Sequence, residues 1–136
     1  METVVAQELE MKLVLSPERS IAVPARLSYD VQDPYAVHIT FHLDSEAPVT
    51  WVFARELLAQ GARRPSGRGD VRVSPAARSG EGRALQLALH SPAGQALLEV
   101  PAAKVEAWLK RTYRLVPLGR ESDSLDLDGE LAELLA

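Results

Sequence analysis

The 136-residue sequence has no cysteine, only three histidines and few aromatic residues, 5% of the chain. Without a thiol there is no disulfide scaffold, no cysteine nucleophile, no thiolate zinc site and no iron–sulfur cluster. Three histidines leave little from which to build an imidazole metal site. No apolar run approaches the roughly 20 residues that span a bilayer. A basic excess is also missing: the net charge is −4, which disfavours indiscriminate binding to duplex DNA. The opening stretch METVVAQELEMKLVL lacks a basic leader and puts Glu8, Glu10 and Lys12 where a signal peptide needs apolar residues. The expectation is a cytoplasmic protein.

What is present is ordinary for a globular chain, with 46% hydrophobic and 25% charged residues. A single domain over 1–136 is expected, large enough to bury about two-thirds of its unfolded surface. Its first half alternates with period two. Gln7, Leu9, Met11, Leu13 and Leu15 oppose Glu8, Glu10 and Lys12. Ile21, Val23, Ala25, Leu27 and Tyr29 form the next alternating face, then Val37, Ile39, Phe41 and Leu43, then the run Val49 to Phe53. Pro24 cannot donate to a ladder, so its strand is expected at an edge or broken there. The period changes at Ala54 to Gln60, which predicts a short helix with Gly61 as the residue that ends it.

Three further strands are predicted: Val71 to Val73, stopped by Pro75, then Ala84 to Leu89 and Gln95 to Val100. The last two are joined by the turn Ser91-Pro92-Ala93-Gly94. Pro101 suits the first position of a second helix, whose inward face is Val105, Trp108, Leu109 and Thr112. Glu106 is spaced to pair with Lys110. From Glu121 the chain is acidic, and Leu127, Leu131, Leu134 and Leu135 fall at helical spacing, predicting a short acidic C-terminal helix over part of 121–136. The fold class is α+β: antiparallel strands, helix, strands, helix.

Chemistry is sparse. His38 and His42 share a spacing that makes a ligand pair on a helix, but on a strand four residues cover about 13 Å, too far for one metal. Aligning Gly129 with the glycine of a calcium loop puts Leu135 where a bidentate glutamate is required, so that site is rejected. Gly67-Arg68-Gly69 lacks the Lys-Ser/Thr of a phosphate loop, and no nucleophile elbow is present. No catalytic, metal or cofactor residue is assigned. The most distinctive polar feature is Arg63, Arg64, Arg68 and Arg72, with Arg78 and Arg83 beyond them. Such a group could grip phosphate or an acidic protein, or simply keep a loop solvated.

Several ordered stretches resemble the SsgA-like sporulation and cell-division proteins of actinobacteria. They are Tyr29-Asp30-Val31-Gln32-Asp33-Pro34-Tyr35-Ala36-Val37-His38 running into Thr40-Phe41-His42, and Trp51 to Leu58 (WVFARELL). Arg64-Pro65-Ser66-Gly67, Gly69-Asp70-Val71-Arg72-Val73, Ser91-Pro92-Ala93-Gly94 with Ala96-Leu97-Leu98-Glu99, and Asp126-Leu127-Asp128 before Glu130-Leu131 follow in the family's order. The pattern is most similar to the SsgB branch, and departs from it at Ser74, where that branch carries an aromatic.

The resemblance implies a non-enzymatic regulator with a fold similar to the Whirly proteins, assembled as a homo-oligomer, most simply a trimer. It implies a place at the division septum, with the tubulin-like protein FtsZ and other SsgA-like proteins as partners. The candidate partner-binding residues are Arg63, Arg64, Arg68, Arg72, Leu127, Leu131 and Leu134. The alternative is a single-stranded nucleic-acid binder of Whirly-like fold. Against it stand the net charge and the few aromatics, with Phe41, Trp51 and Trp108 on expected buried faces.

Overall fold

A computed structural model describes residues 3–42, 47–76 and 82–124. Seven strands form one antiparallel sheet, β1 (Val4–Ser16), β2 (Arg19–Asp30), β3 (Ala36–Phe41), β4 (Val49–Ala54), β5 (Val71–Ala76), β6 (Ala84–Ser91) and β7 (Gly94–Pro101). Helix α1 (Arg55–Gly61) follows β4, helix α2 (Ala102–Leu115) follows β7, and a 3-10 turn spans Glu121–Ser124. The sheet order is β4-β3-β2-β1-β7-β6-β5. Two meanders are thus placed side by side, each followed by a helix. They join where β1 pairs with β7 at Lys12 opposite Glu99 and Leu13 opposite Leu98.

Alternation decides the two faces. Met11, Val23, Leu27, Ile39, Leu87 and Val100 are buried on the inner face, each worth about 1.5–3 kcal/mol of hydrophobic transfer when fully covered. Helix α2 seals part of that face with Val105, Trp108 and Leu109, and the Trp108 indole N–H donates to the Val5 carbonyl at 3.2 Å. Helix α1 lies against β5 and inserts Leu58 into the same core.

Several expectations need correction. Pro24 lies on a strand flanked by β1 and β3, not on an outer strand. The sheet tolerates it near the end of β3: among the described residues Ala25 opposite Phe41 is the last paired position, and His42 N–H donates onward, to the Pro24 carbonyl at 3.0 Å. A residue's N–H and C=O point to the same side of an antiparallel strand, so the missing donor falls where the neighbour has ended. Leu15 is about half exposed because the register shifts between Val14 and Ser16, leaving it unpaired in a bulge. Ile21, opposite Leu13 near that tip, is also about half exposed.

Pro75 does not end its strand; it sits opposite Leu85 on the outermost strand, where a lost donor costs no neighbour. Gly61 is the last residue of α1 rather than the residue beyond it, and its φ is not left-handed. It is needed for closeness: a Cβ there would overlap the Val73 side chain and come within 2.9 Å of the Val73 carbonyl. Glu106 pairs with Arg83, not with Lys110. Pro101 is the N-cap of α2, one residue before the helix. Leu43, Arg78 and the helix expected beyond Ser124 lie outside the described residues.

Candidate interaction surfaces

One buried polar side chain, part of no site expected from the sequence, gathers several partners. Arg55 opens α1 and is only 2% exposed. Its Nη1 donates to the Val116 carbonyl at 2.8 Å and to Thr112 Oγ1 at 3.4 Å, and its Nη2 meets Glu121 Oε2 at 3.2 Å. The guanidinium also lies over two rings, 4.8 Å from the Tyr29 centroid and 4.6 Å from that of Tyr113. One buried cation therefore ties the β4–α1 corner to the end of α2 and to the 3-10 turn beyond it. A cation at a helix start opposes the macrodipole, so only tertiary partners explain its presence there.

Its neighbours respond to this setting. Burial pushes the Tyr29 and Tyr113 phenols above their ordinary range, partly offset by the Arg55 charge. The Tyr29 hydroxyl donates to the Pro34 carbonyl at 2.8 Å. Glu121 is held below the usual carboxylate range, first by a hydrogen bond from its own backbone N–H and then by the Arg55 side chain, against the opposing effect of burial. These groups form a brace closed on itself by protein partners, not an arrangement open to a substrate.

Concave surfaces lie around this frame among the described residues. Between α1 and α2 runs a crevice of about 520 Å³, with Ala59, Leu109 and Tyr113 along it, Leu118 at its mouth, and Arg63 and Lys110 on its rim. A second groove, about 290 Å³, opens on the inner face of the sheet away from the helices. It is walled by Leu13, Phe41, Val49, Trp51, Leu89 and Leu98. The third, about 570 Å³, lies over the outer face, where Arg72 and Asp70 meet His90 and Leu97.

The arginines singled out in the sequence are divided among these surfaces. Arg63 belongs to the interhelical crevice, and Arg72 to the outer-face hollow. Arg64 and Arg68 are exposed on the connection between α1 and β5. Leu127, Leu131 and Leu134 lie outside the described residues. His38 is on β3 and His42 just past it, and among the described residues no three metal-ligating side chains come together. Nor is any described helix long and apolar enough to cross a membrane. Of the aromatics, Phe41 and Trp108 are buried and Trp51 partly so, whereas Tyr35 is about half exposed.

A curled antiparallel sheet with two helices locked by a buried arginine defines an α+β fold. Comparison with known proteins narrows that class. Residues 23–121 match the family model described as Streptomyces sporulation and cell division protein, SsgA, so the chain belongs to the SsgA family. Within it, the whole chain is 54% identical to the sporulation-specific cell division protein SsgB of Streptomyces coelicolor, covering 98% of that protein. It is 50% identical to the protein of the same name from Frankia casuarinae, over 96% of this chain and 91% of the relative.

Solved structures agree. One comes from a study of SsgB mutations that correlate with longitudinal cell division during sporulation of Streptomyces coelicolor. It superposes with a TM-score of 0.87 at 54% identity, covering 90% of this chain and 96% of the other. The crystal structure of an SsgA-like sporulation-specific cell division protein from Thermobifida fusca gives 0.85 at 43% identity, covering 97% and 96%. The chain is an SsgB homologue.

Proposed function

We propose that this protein is a non-enzymatic septation factor: an oligomeric adaptor, most simply a homotrimer, that helps bring FtsZ to the sites of sporulation septa. The observation that carries this reading is the similarity, along the entire chain, to proteins named as sporulation-specific cell division proteins. The physical features are consistent with it. Its most buried charged group is spent on internal bracing, and its concavities are lined by mixed or apolar side chains suited to protein surfaces. The apolar groove beside half-exposed Leu15, Ile21 and Val49 favours coverage by another subunit. Arg63, Arg64, Arg68 and Arg72, with Leu127, Leu131 and Leu134, are the candidate partner-binding residues.

The adaptor reading places the protein on the cytoplasmic side of the forming septum, alongside other SsgA-like proteins. The single-stranded nucleic-acid alternative is less favoured, because the net charge is −4 and aromatics that could stack bases are few. The test is twofold. Light scattering should give a mass near three chains at micromolar concentration. FtsZ polymers should sediment the purified protein, and a strain lacking its own factor should regain regular septa when supplied with this chain. A monomer that neither sediments with FtsZ nor restores septa would overturn the proposal.

A further inference from the structure

Charge in this molecule is segregated by layer. The first helix with the turn after it, residues 55–64, and the second helix, residues 102–115, together carry seven cations and two carboxylates. The whole chain is nevertheless net −4, so the helical layer is a basic surface on an acidic protein. One of its cations, Arg55, is buried and spent on Glu121. Arg63, Arg64, Lys104, Lys110 and Arg114 are exposed, and no ion pair among the described residues engages them.

Arg63 and Lys110 stand on the crevice between α1 and α2. Arg83 is there too, but is paired with Glu106, while Glu56 accepts from Gln60 at 2.8 Å. Arg63 and Lys110 are thus the cations open to an incoming carboxylate. Between them the lining turns apolar, with Ala59, Leu109 and Tyr113 along the crevice and Leu118 at its mouth. Leu118 is 65% exposed, more than any other large apolar side chain among the described residues. An exposed leucine beside unpaired cations is the complement of a segment that carries apolar side chains between carboxylates. At about 520 Å³ the space takes several side chains. A polyphosphate fits less well. It brings a charge at every nucleotide and would meet the carboxylates of Glu56 and Glu106. Tyr113 is the one aromatic along the crevice among the described residues, and its ring already lies under Arg55.

We propose that the crevice between α1 and α2 docks an acidic segment of a partner protein, one that carries leucine-like side chains between its carboxylates. The apolar side chains cover Leu118 and Tyr113, and the carboxylates face Arg63 and Lys110. The rest of the basic helical layer steers the segment toward the site. The inference rests on the adaptor reading only in requiring a protein partner, and adds that partner's chemistry and the place where it sits.

The test uses the full chain and a synthetic probe, so it does not depend on any particular partner. A fluorescein-labelled peptide of the repeat Glu-Glu-Leu should bind in fluorescence anisotropy, and a Glu-Glu-Ser peptide of equal charge should bind at least about tenfold more weakly. Arg63→Glu with Lys110→Glu should lower the affinity for the leucine peptide at least about tenfold, and Leu118→Ser should lower it several-fold at unchanged charge. Lys12→Glu with Arg19→Glu makes the same change of net charge elsewhere, Lys12 being exposed at the seam with β7 and Arg19 at the start of β2. That pair should leave the affinity within about twofold of the parent. Circular dichroism and light scattering on each variant establish its fold and mass. No binding, or an equal loss in both double variants, would overturn the proposal while leaving the adaptor reading to its own test of septal rescue. Tighter binding of oligo(dT) or of phosphatidylglycerol vesicles, lost in the crevice variants, would overturn it in favour of a nucleic acid or a membrane surface. A change of mass in the crevice variants would overturn it in favour of a second copy.

Discussion

Replacing Arg55 by alanine should be among the most damaging single changes in the molecule. The side chain is buried and donates to Val116, Thr112 and Glu121. Alanine removes those donors together with a cation lying over two aromatic rings, and leaves the Glu121 carboxylate, only 13% exposed, without that cation. Breaking a buried pair by deleting one partner costs about 3–5 kcal/mol, because the remaining charge stays in a poor solvent. For a domain of this size that corresponds to a fall in Tm of roughly 10–20 °C.

Glu121→Gln should cost less, since Arg55 keeps the Val116 carbonyl and both rings. Combining the two changes should cost less than the sum of the singles, with a coupling of about 1–3 kcal/mol. The assay is equilibrium urea unfolding of the four proteins of the cycle, with unchanged m values as the check on two-state behaviour. An Arg55→Ala protein within about 1 kcal/mol of the parent, or strictly additive costs, would refute the idea of an electrostatic brace.

The same brace sets pH behaviour. Glu121 has a folded pKa below its unfolded one, so its contribution is full above the ordinary glutamate value near 4.3 and is lost as pH falls through the lower folded value. Acid unfolding curves of the parent should therefore be steeper below about pH 4 than those of Glu121→Gln. Tyr29 and Tyr113 are shifted upward, so the folded state holds those protons longer and stability should fall as pH rises beyond about 10. Tyr113→Phe should lessen that alkaline loss, as read by melts at pH 9 to 11. Gly61→Ala should destabilise by about 1–3 kcal/mol through overlap with Val73, whereas Gly69→Ala, with open space around its Cβ, should stay within about 1 kcal/mol of the parent. Denaturant midpoints of the pair decide between crowding and a general intolerance of glycine replacement.

Much of the fold was legible because strands bury alternate residues. Val37, Ile39 and Phe41 go inward as their spacing requires, and the Ser91-Pro92-Ala93-Gly94 turn joins β6 to β7. The errors share a cause: each residue was read against its neighbours in sequence while its role depended on a distant one. Glu106 sits one helical turn from Lys110, yet a residue 23 positions back takes it. Gly61 looks like a helix end, but it is there to admit Val73. Arg55 could not be recognised locally, because its partners lie 57 to 66 residues away. The one local clue was a cation at the first position of a helix, where the dipole disfavours it. The arginines looked like one group in sequence, but chain direction sends Arg63 and Arg72 to different concavities.

The strand order carries a consequence for how the chain reaches this structure. Every neighbouring pair except one is a sequential hairpin or meander step, formed from residues close in the chain. The exception is β1 with β7, whose two paired positions join residues 12 and 13 to residues 98 and 99. Among the strand pairings, loop-closure entropy thus falls on a single seam, and the sequential pairing elsewhere in the sheet allows each meander to form early. During synthesis from the N-terminus, β1 to β4 can pair before β5 has left the ribosome, while the β7-facing edge of β1 must wait. That edge, from Lys12 to Leu13, is where a nascent chain would be open to mispairing with another copy. Mutations that weaken the seam should slow folding more than equally destabilising changes within either meander if seam closure limits the rate.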